Sequence, residues 1–245
     1  MRARPQTLEP DLGNASAGSS VDLQPRRESG ATGRAACVFS WFVPLNWEHS
    51  MDNTSSRWRT IDIVVASVIA VAFGVIFWAW GLVWSATEGA FAFFPPAQTL
   101  IYGVWLLPAV VGGLVIRKPG AALYCETVAA VVSALLGSQW AGTVIPQGIV
   151  QGLGAELAFA AFRYRSFRLP TAVLAGALTG LSAALFDFFV WNVDYALGDY
   201  RIPYALLTIV SSTIIAGVGG WLLTRALANT GALDRFPAGR NRALI

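Results

Sequence analysis

Residues 123–161 read LYCETVAAVVSALLGSQWAGTVIPQGIVQGLGAELAFAA, and the reading of this stretch decides the fold. Two apolar runs flank the short turn GSQWAG, a pattern that predicts a hairpin of two hydrophobic helices. Glu126, Gln147, Gln151 and Glu156 lie inside those runs. A carboxylate in hydrocarbon costs about 3 kcal/mol or more, so such residues face a bundle interior or a polar cavity. The hairpin therefore reads as floor and wall of a small-molecule site, with the rest of the chain as its scaffold.

The surrounding sequence supports a membrane setting. The chain is 55% hydrophobic and 13% charged, which excludes an ordinary soluble domain. Apolar stretches of roughly bilayer-spanning length, about 20 residues, follow one another. They predict an all-α, polytopic bundle of six transmembrane helices over residues 61–84, 97–116, 120–136, 143–162, 169–191 and 202–225. The membrane domain so defined covers residues 57–228, in contact with the lipid bilayer. Residues 1–56, rich in Ser, Gly, Pro and Arg, read as a disordered cytoplasmic tail. They lack the apolar core of a secretory signal. Met1 and Met51 are the two methionines, so a start at Met51 is expected, with residues 1–50 as a gene-call extension. Residues 229–245 form a second cytoplasmic tail.

Charge sets the expected orientation. Of the 17 Lys and Arg residues, all but Arg201 lie in the tails, the Arg117–Lys118 turn, the 163–168 loop or the end of the last span. Both termini are therefore expected in the cytoplasm. The cations are spread between spans and form no single patch, so nucleic acid is not an expected partner. Cys37 in the tail and Cys125 in a span make a disulfide unexpected. There is no G-x-x-x-x-G-K-[ST] loop, so energy for any transport must come from a partner protein or an ion gradient. No internal repeat supports an inverted-repeat carrier.

Depth identifies candidate ligand contacts. At 1.5 Å per residue, Glu126 lies roughly 15 Å below the outer end of its span, Gln151 about 11 Å and Asp187 about 6 Å. These groups are expected to converge on a cavity that opens outward. Ala130, Ser133 and Gly137 share the face of Glu126 and leave room for a ligand or a neighbouring helix. Gln147 and Gln151, four apart, face the same way. Glu156 is rotated about 140° from Gln151 and points elsewhere. For each polar group the competing reading is an interhelical hydrogen bond.

The outer ends carry Trp80, Trp84, Phe91, Phe93, Phe94, Trp140, Trp191, Tyr195 and Tyr200. They read either as an interfacial belt or as an aromatic box that stacks on a planar or cationic ring. Trp140, in the hairpin turn, is the strongest candidate, and Trp191 and Asn192 follow Asp187 at the corresponding edge. The expected substrate-binding set is Glu126, Trp140, Gln147, Gln151, Asp187, Trp191 and Asn192. No catalytic residue, metal ligand or cofactor is expected. His49, the one histidine, lies in the tail, which removes Ser-His or Cys-His catalysis within the membrane. An intramembrane hydrolase would need a carboxylate pair, for which Glu126 and Glu156 are the candidates. A stand-alone carrier or a purely structural subunit would also fit this composition. Two small-residue ladders, Ala66–Ala70–Gly74 and Ala172–Gly176–Gly180–Ala184, fit internal packing or a partner membrane subunit equally.

The blocks WRTIDIVVASVIAVAFGVIFWAW, ETVAAVVSALLGSQWAG, PQGIVQGLGAELAFA and FDFFVWN, in this order, resemble the YkoE-type substrate-binding component of energy-coupling factor (ECF) transporters. The resemblance covers about residues 57–228. It implies six helices, capture of thiamine or its hydroxymethylpyrimidine precursor from outside, and no enzymatic activity. It also implies coupling to a transmembrane energising subunit and two cytoplasmic ATPase subunits. Such components commonly carry an A-x-x-x-A face on their first helix that meets the energising subunit. Ala66 and Ala70 match it, extended by Gly74.

Overall fold

The computed structural model describes residues 57–234 and 236–240. The tail expected over residues 1–56 and the start at Met51 lie outside the described residues. Every regular element among the described residues is helical. The first, α1 (Thr60–Thr87), is a 28-residue apolar run without proline. Asp62 fixes its start by accepting the Arg59 N–H at 2.8 Å and pairing with Lys118 Nζ at 2.6 Å. That ion pair ties the entry of α1 to the Arg117–Lys118 turn.

The second apolar segment, Pro95–Ile116, changes its winding halfway. Pro95–Leu106 is wound as tight 3-10 turns, and α2 (Leu107–Ile116) begins with Pro108 in its first turn, where a proline needs no hydrogen-bond acceptor. Next come α3 (Ala121–Leu135), α4 (Val144–Ala161) and α5 (Leu169–Val190). The last apolar segment, Leu197–Asn229, contains α6 (Ile202–Ser212) and α7 (Gly220–Asn229). Wide π turns precede α6 at Leu197–Arg201 and join it to α7 at Thr213–Gly219.

Among the described residues, five segments are long and apolar enough to cross a membrane. The expected span over 120–136 is the exception. With 15 residues, α3 is about 22 Å long, short of the roughly 30 Å hydrocarbon core. Gly137 causes the early stop. At φ 87° it takes the left-handed conformation, so that Ser138 N–H donates to Ser133 O and Gly137 N–H to Ala134 O. This closing pattern at a helix end satisfies two carbonyls that would otherwise be left over.

α3 packs between α1 and α4, α4 packs on α5, and α5 packs on α6 and the π turns that follow it. The small-residue ladders serve these contacts. Ala66, Ala70 and Gly74 are buried, and a Cβ on Gly74 would lie 2.5 Å from Cβ of Val132 on α3. α3 thus covers the face that the resemblance assigns to a partner subunit. On α5, a Cβ on Gly176 would lie 2.7 Å from the Gly217 backbone. At the end of the described chain, Leu233 and Phe236 are buried with Phe73, Val111 and Val115.

Candidate substrate site

A cavity of about 200 Å³ lies among α1, the Pro95–Leu106 turns, α3, α4, α5 and α6. The short α3 shapes one wall. Where that helix stops, the turn carries Ser138 and Trp140 to the cavity, and the ring of Trp140 comes within 3.4 Å of where a Cβ on Gly81 would stand. Gln139 holds the turn to α1, accepting from Ser85 Oγ at 2.5 Å and donating to Gly81 O at 3.5 Å. Trp105 is the centre of the aromatic wall. Its ring meets Trp140 at 5.3 Å, Trp84 at 5.2 Å and Tyr102 at 5.5 Å between centroids. Such tilted and edge-on contacts leave ring faces available.

One hydrogen-bonded network joins the polar wall. Gln147 Nε2 donates to Tyr102 OH at 2.7 Å and to Asp187 Oδ1 at 2.9 Å. Gln151 Nε2 donates to the same phenol oxygen at 3.1 Å. Tyr204 OH donates to Asp187 Oδ2 at 2.8 Å. Asp187 is 1% exposed, and all four of its neighbours in the network also line the cavity. An ionised carboxylate offers about four lone-pair positions, so these bonds leave it capacity for a further donor.

The structure brings together Trp140, Gln147, Gln151, Asp187, Trp191 and Asn192, six of the seven expected contacts. Glu126 stands apart from them. It is fully buried, does not line the cavity, and its Oε2 accepts the Ala109 N–H at 2.9 Å. Ala109 occupies the first turn of α2, where backbone N–H groups have no partner within the helix. Glu126 thus caps a helix from a neighbouring one, while Ala130 and Ser133, further along its face, reach the cavity. Glu156 does the same for α3. Its carboxylate accepts from Gly120 N at 2.6 Å, Ala122 N at 3.0 Å and Leu123 N at 3.3 Å. Tyr164 OH adds a bond at 2.7 Å. Burial, then this bond to the carboxylate, pushes the Tyr164 phenol above its ordinary range, so at neutral pH it remains a donor. The two carboxylates accept from different backbone groups, Glu156 through both oxygens and Glu126 through Oε2, its Oε1 being buried with no partner among the described residues.

Sequence reasoning missed Tyr102, Trp105 and Tyr204. A signal was present, since a tyrosine inside an apolar run needs a partner for its hydroxyl. Of the aromatic box candidates, Trp84, Trp140, Trp191 and Tyr200 line the cavity, whereas Phe93 is 85% exposed.

An integral membrane bundle that encloses a small cavity, aromatic on one side and hydrogen-bonding on the other, is a binding component for a small molecule. Comparison with known proteins places it further. The family profile described as "ABC-type cobalt transport system, permease component" matches residues 61–182. YkoE of Bacillus subtilis (strain 168), a proposed HMP/thiamine permease protein, is 36% identical over 183 residues, 75% of this chain and 91% of that protein. A crystal structure of an S-component of an ECF transporter superposes with a TM-score of 0.71 at 35% identity, covering 75% of this chain and 92% of the other. The chain belongs to the family of YkoE-type substrate-binding components of ECF transporters. Its relatives are transport proteins and not enzymes.

Proposed function

We propose that this chain captures thiamine or its hydroxymethylpyrimidine precursor and delivers it as the substrate-binding subunit of an ECF-type ABC importer. The observation that carries this reading is the polar network around Asp187 facing the tryptophan wall. An aminopyrimidine presents an exocyclic amine beside ring-nitrogen acceptors. The Asp187 carboxylate can take the amine, and the amides of Gln147 and Gln151 can serve the ring. Trp84, Trp105 and Trp140 offer faces for a flat or cationic ring. A volume of about 200 Å³ equals that of roughly six or seven waters, which suits one small heterocycle. The name of the YkoE relative points the same way. Among the described residues no group of three or more His, Cys, Asp or Glu stands together, so the cobalt in the family description has no counterpart in a ligand set there.

In this reading the short α3 counts as the sixth crossing, both termini are cytoplasmic, and the cavity opens outward. The basic turns at Arg117–Lys118 and at residues 163–168 then lie on the cytoplasmic side. A transmembrane energising subunit and two ATPase subunits supply the energy, since the chain has no phosphate loop of its own. With α3 covering Ala66, Ala70 and Gly74, the exposed valines of α1, such as Val64, Val68 and Val71, are the face left for that subunit or for lipid.

The test is calorimetry on the detergent-solubilised protein with thiamine and hydroxymethylpyrimidine, together with identification of the subunits that copurify. Saturable binding of at least one ligand and recovery of ATPase subunits are expected. No binding of either would overturn the ligand assignment, and vitamin uptake by cells lacking the ATPases would show a stand-alone carrier.

A further inference from the structure

One donor in the cavity wall is left over. Asn192 follows the end of α5, and its backbone N–H donates to Asp187 O at 2.8 Å. The residue is 5% exposed and lines the cavity, yet its Nδ2 has no acceptor among the described residues. Buried donors are nearly always paired, because leaving one unpaired forfeits its bond to water without return. The missing partner is expected from whatever fills the cavity.

The charge of the wall limits what that partner is. Among the described residues, Asp187 is the one acidic side chain lining the cavity, and no Lys, Arg or His lines it. Arg201, beside the lining residue Tyr200, is turned to Phe188. Its Nη2 donates to Phe188 O at 2.5 Å, and its guanidinium lies 3.4 Å from the centre of the Phe188 ring. An alcohol oxygen suits this corner, since it accepts from the neutral amide and brings no charge. A phosphate ester would carry negative charge into a cavity that already holds the Asp187 carboxylate, with no cation among the described lining residues to offset the lost hydration.

We propose that Asn192 is a specificity residue that donates to the alcohol oxygen of the ligand, and that the cavity selects the free alcohol over its phosphate ester. This rests on the assignment of the ligand as thiamine or hydroxymethylpyrimidine, both primary alcohols. The full chain in detergent is titrated with each alcohol and with its monophosphate, as wild type, Asn192→Ala and Asn192→Asp, with folding checked by gel filtration. Asn192→Asp keeps the size and removes the donor. The wild type is expected to prefer the alcohol by about tenfold or more, and both variants to lose about tenfold in alcohol affinity. Ester and alcohol binding equally to the wild type would overturn the selectivity, and unchanged alcohol affinity in the folded variants would overturn the role of Asn192. If neither alcohol bound the wild type, the ligand assignment itself would fail and take this inference with it.

Discussion

Glu126 and Glu156 on one side, and Gln147, Gln151 and Asp187 on the other, look alike in the sequence as polar groups stranded in apolar helices. The fold gives them opposite tasks. Each glutamate meets backbone N–H at the start of a neighbouring helix, Ala109 for Glu126 and Gly120, Ala122 and Leu123 for Glu156. The glutamines and the aspartate meet side chains, through Tyr102 and Tyr204, and face a cavity. A polar residue in a membrane helix is therefore functional only in the sense its partners define. Backbone partners make it part of the frame, whereas side-chain partners around a space make it part of a site.

The sharpest way to break this division is to remove a frame carboxylate. Glu156→Ala leaves three N–H groups and Tyr164 without their acceptor, and should cost about 2–3 kcal/mol of stability. Ligand affinity of the folded fraction should stay near that of the wild type. Thermal unfolding in detergent, with and without ligand, separates the two effects. A less severe change tests the packing beneath the site. Ala70→Leu forces a larger side chain into a fully buried position and should cost about 1–3 kcal/mol. A stable, normally binding variant that fails only to assemble with its energising subunit would instead put Ala70 at a partner interface. The smallest effect is expected at the tryptophan wall. Trp140→Ala removes one ring face, worth about 0.5–1.5 kcal/mol, so affinity should fall by roughly three- to tenfold without loss of fold. Ligand titration followed by the remaining tryptophan fluorescence would measure it.

Much of the fold was legible because hydropathy has a length scale. Each expected span coincides with a helical segment, and the turn GSQWAG lies where the hairpin was expected. The change of winding before Pro108 was not legible, and neither was the shortness of α3, because apolar character continues through Leu136 after the helix has ended. The site was legible to the extent that depth and helical spacing are one-dimensional. Gln147, Gln151 and Asp187 are joined as their depths suggested. Depth alone misplaced Glu126, since no spacing within α3 reveals that Ala109 of another helix lacks a hydrogen-bond acceptor. Rotation about the helix axis relative to neighbours is a tertiary property, and it decides which of two equally deep carboxylates meets a cavity. The ladder at Ala66 and Ala70 shows the same limit, because small residues specify close approach without specifying to what.

The central claim is that Asp187 belongs to the site and Glu126 to the frame. Its most direct test is parallel calorimetric titration of Asp187→Asn and Glu126→Gln with thiamine and hydroxymethylpyrimidine. Asp187→Asn removes the charge that strengthens hydrogen bonds in the cavity and should weaken binding about ten- to a hundredfold. Glu126→Gln keeps an oxygen for the Ala109 N–H and should leave affinity within about threefold of the wild type. The reverse pattern, with binding lost in a folded Glu126→Gln protein and retained in Asp187→Asn, would contradict the account.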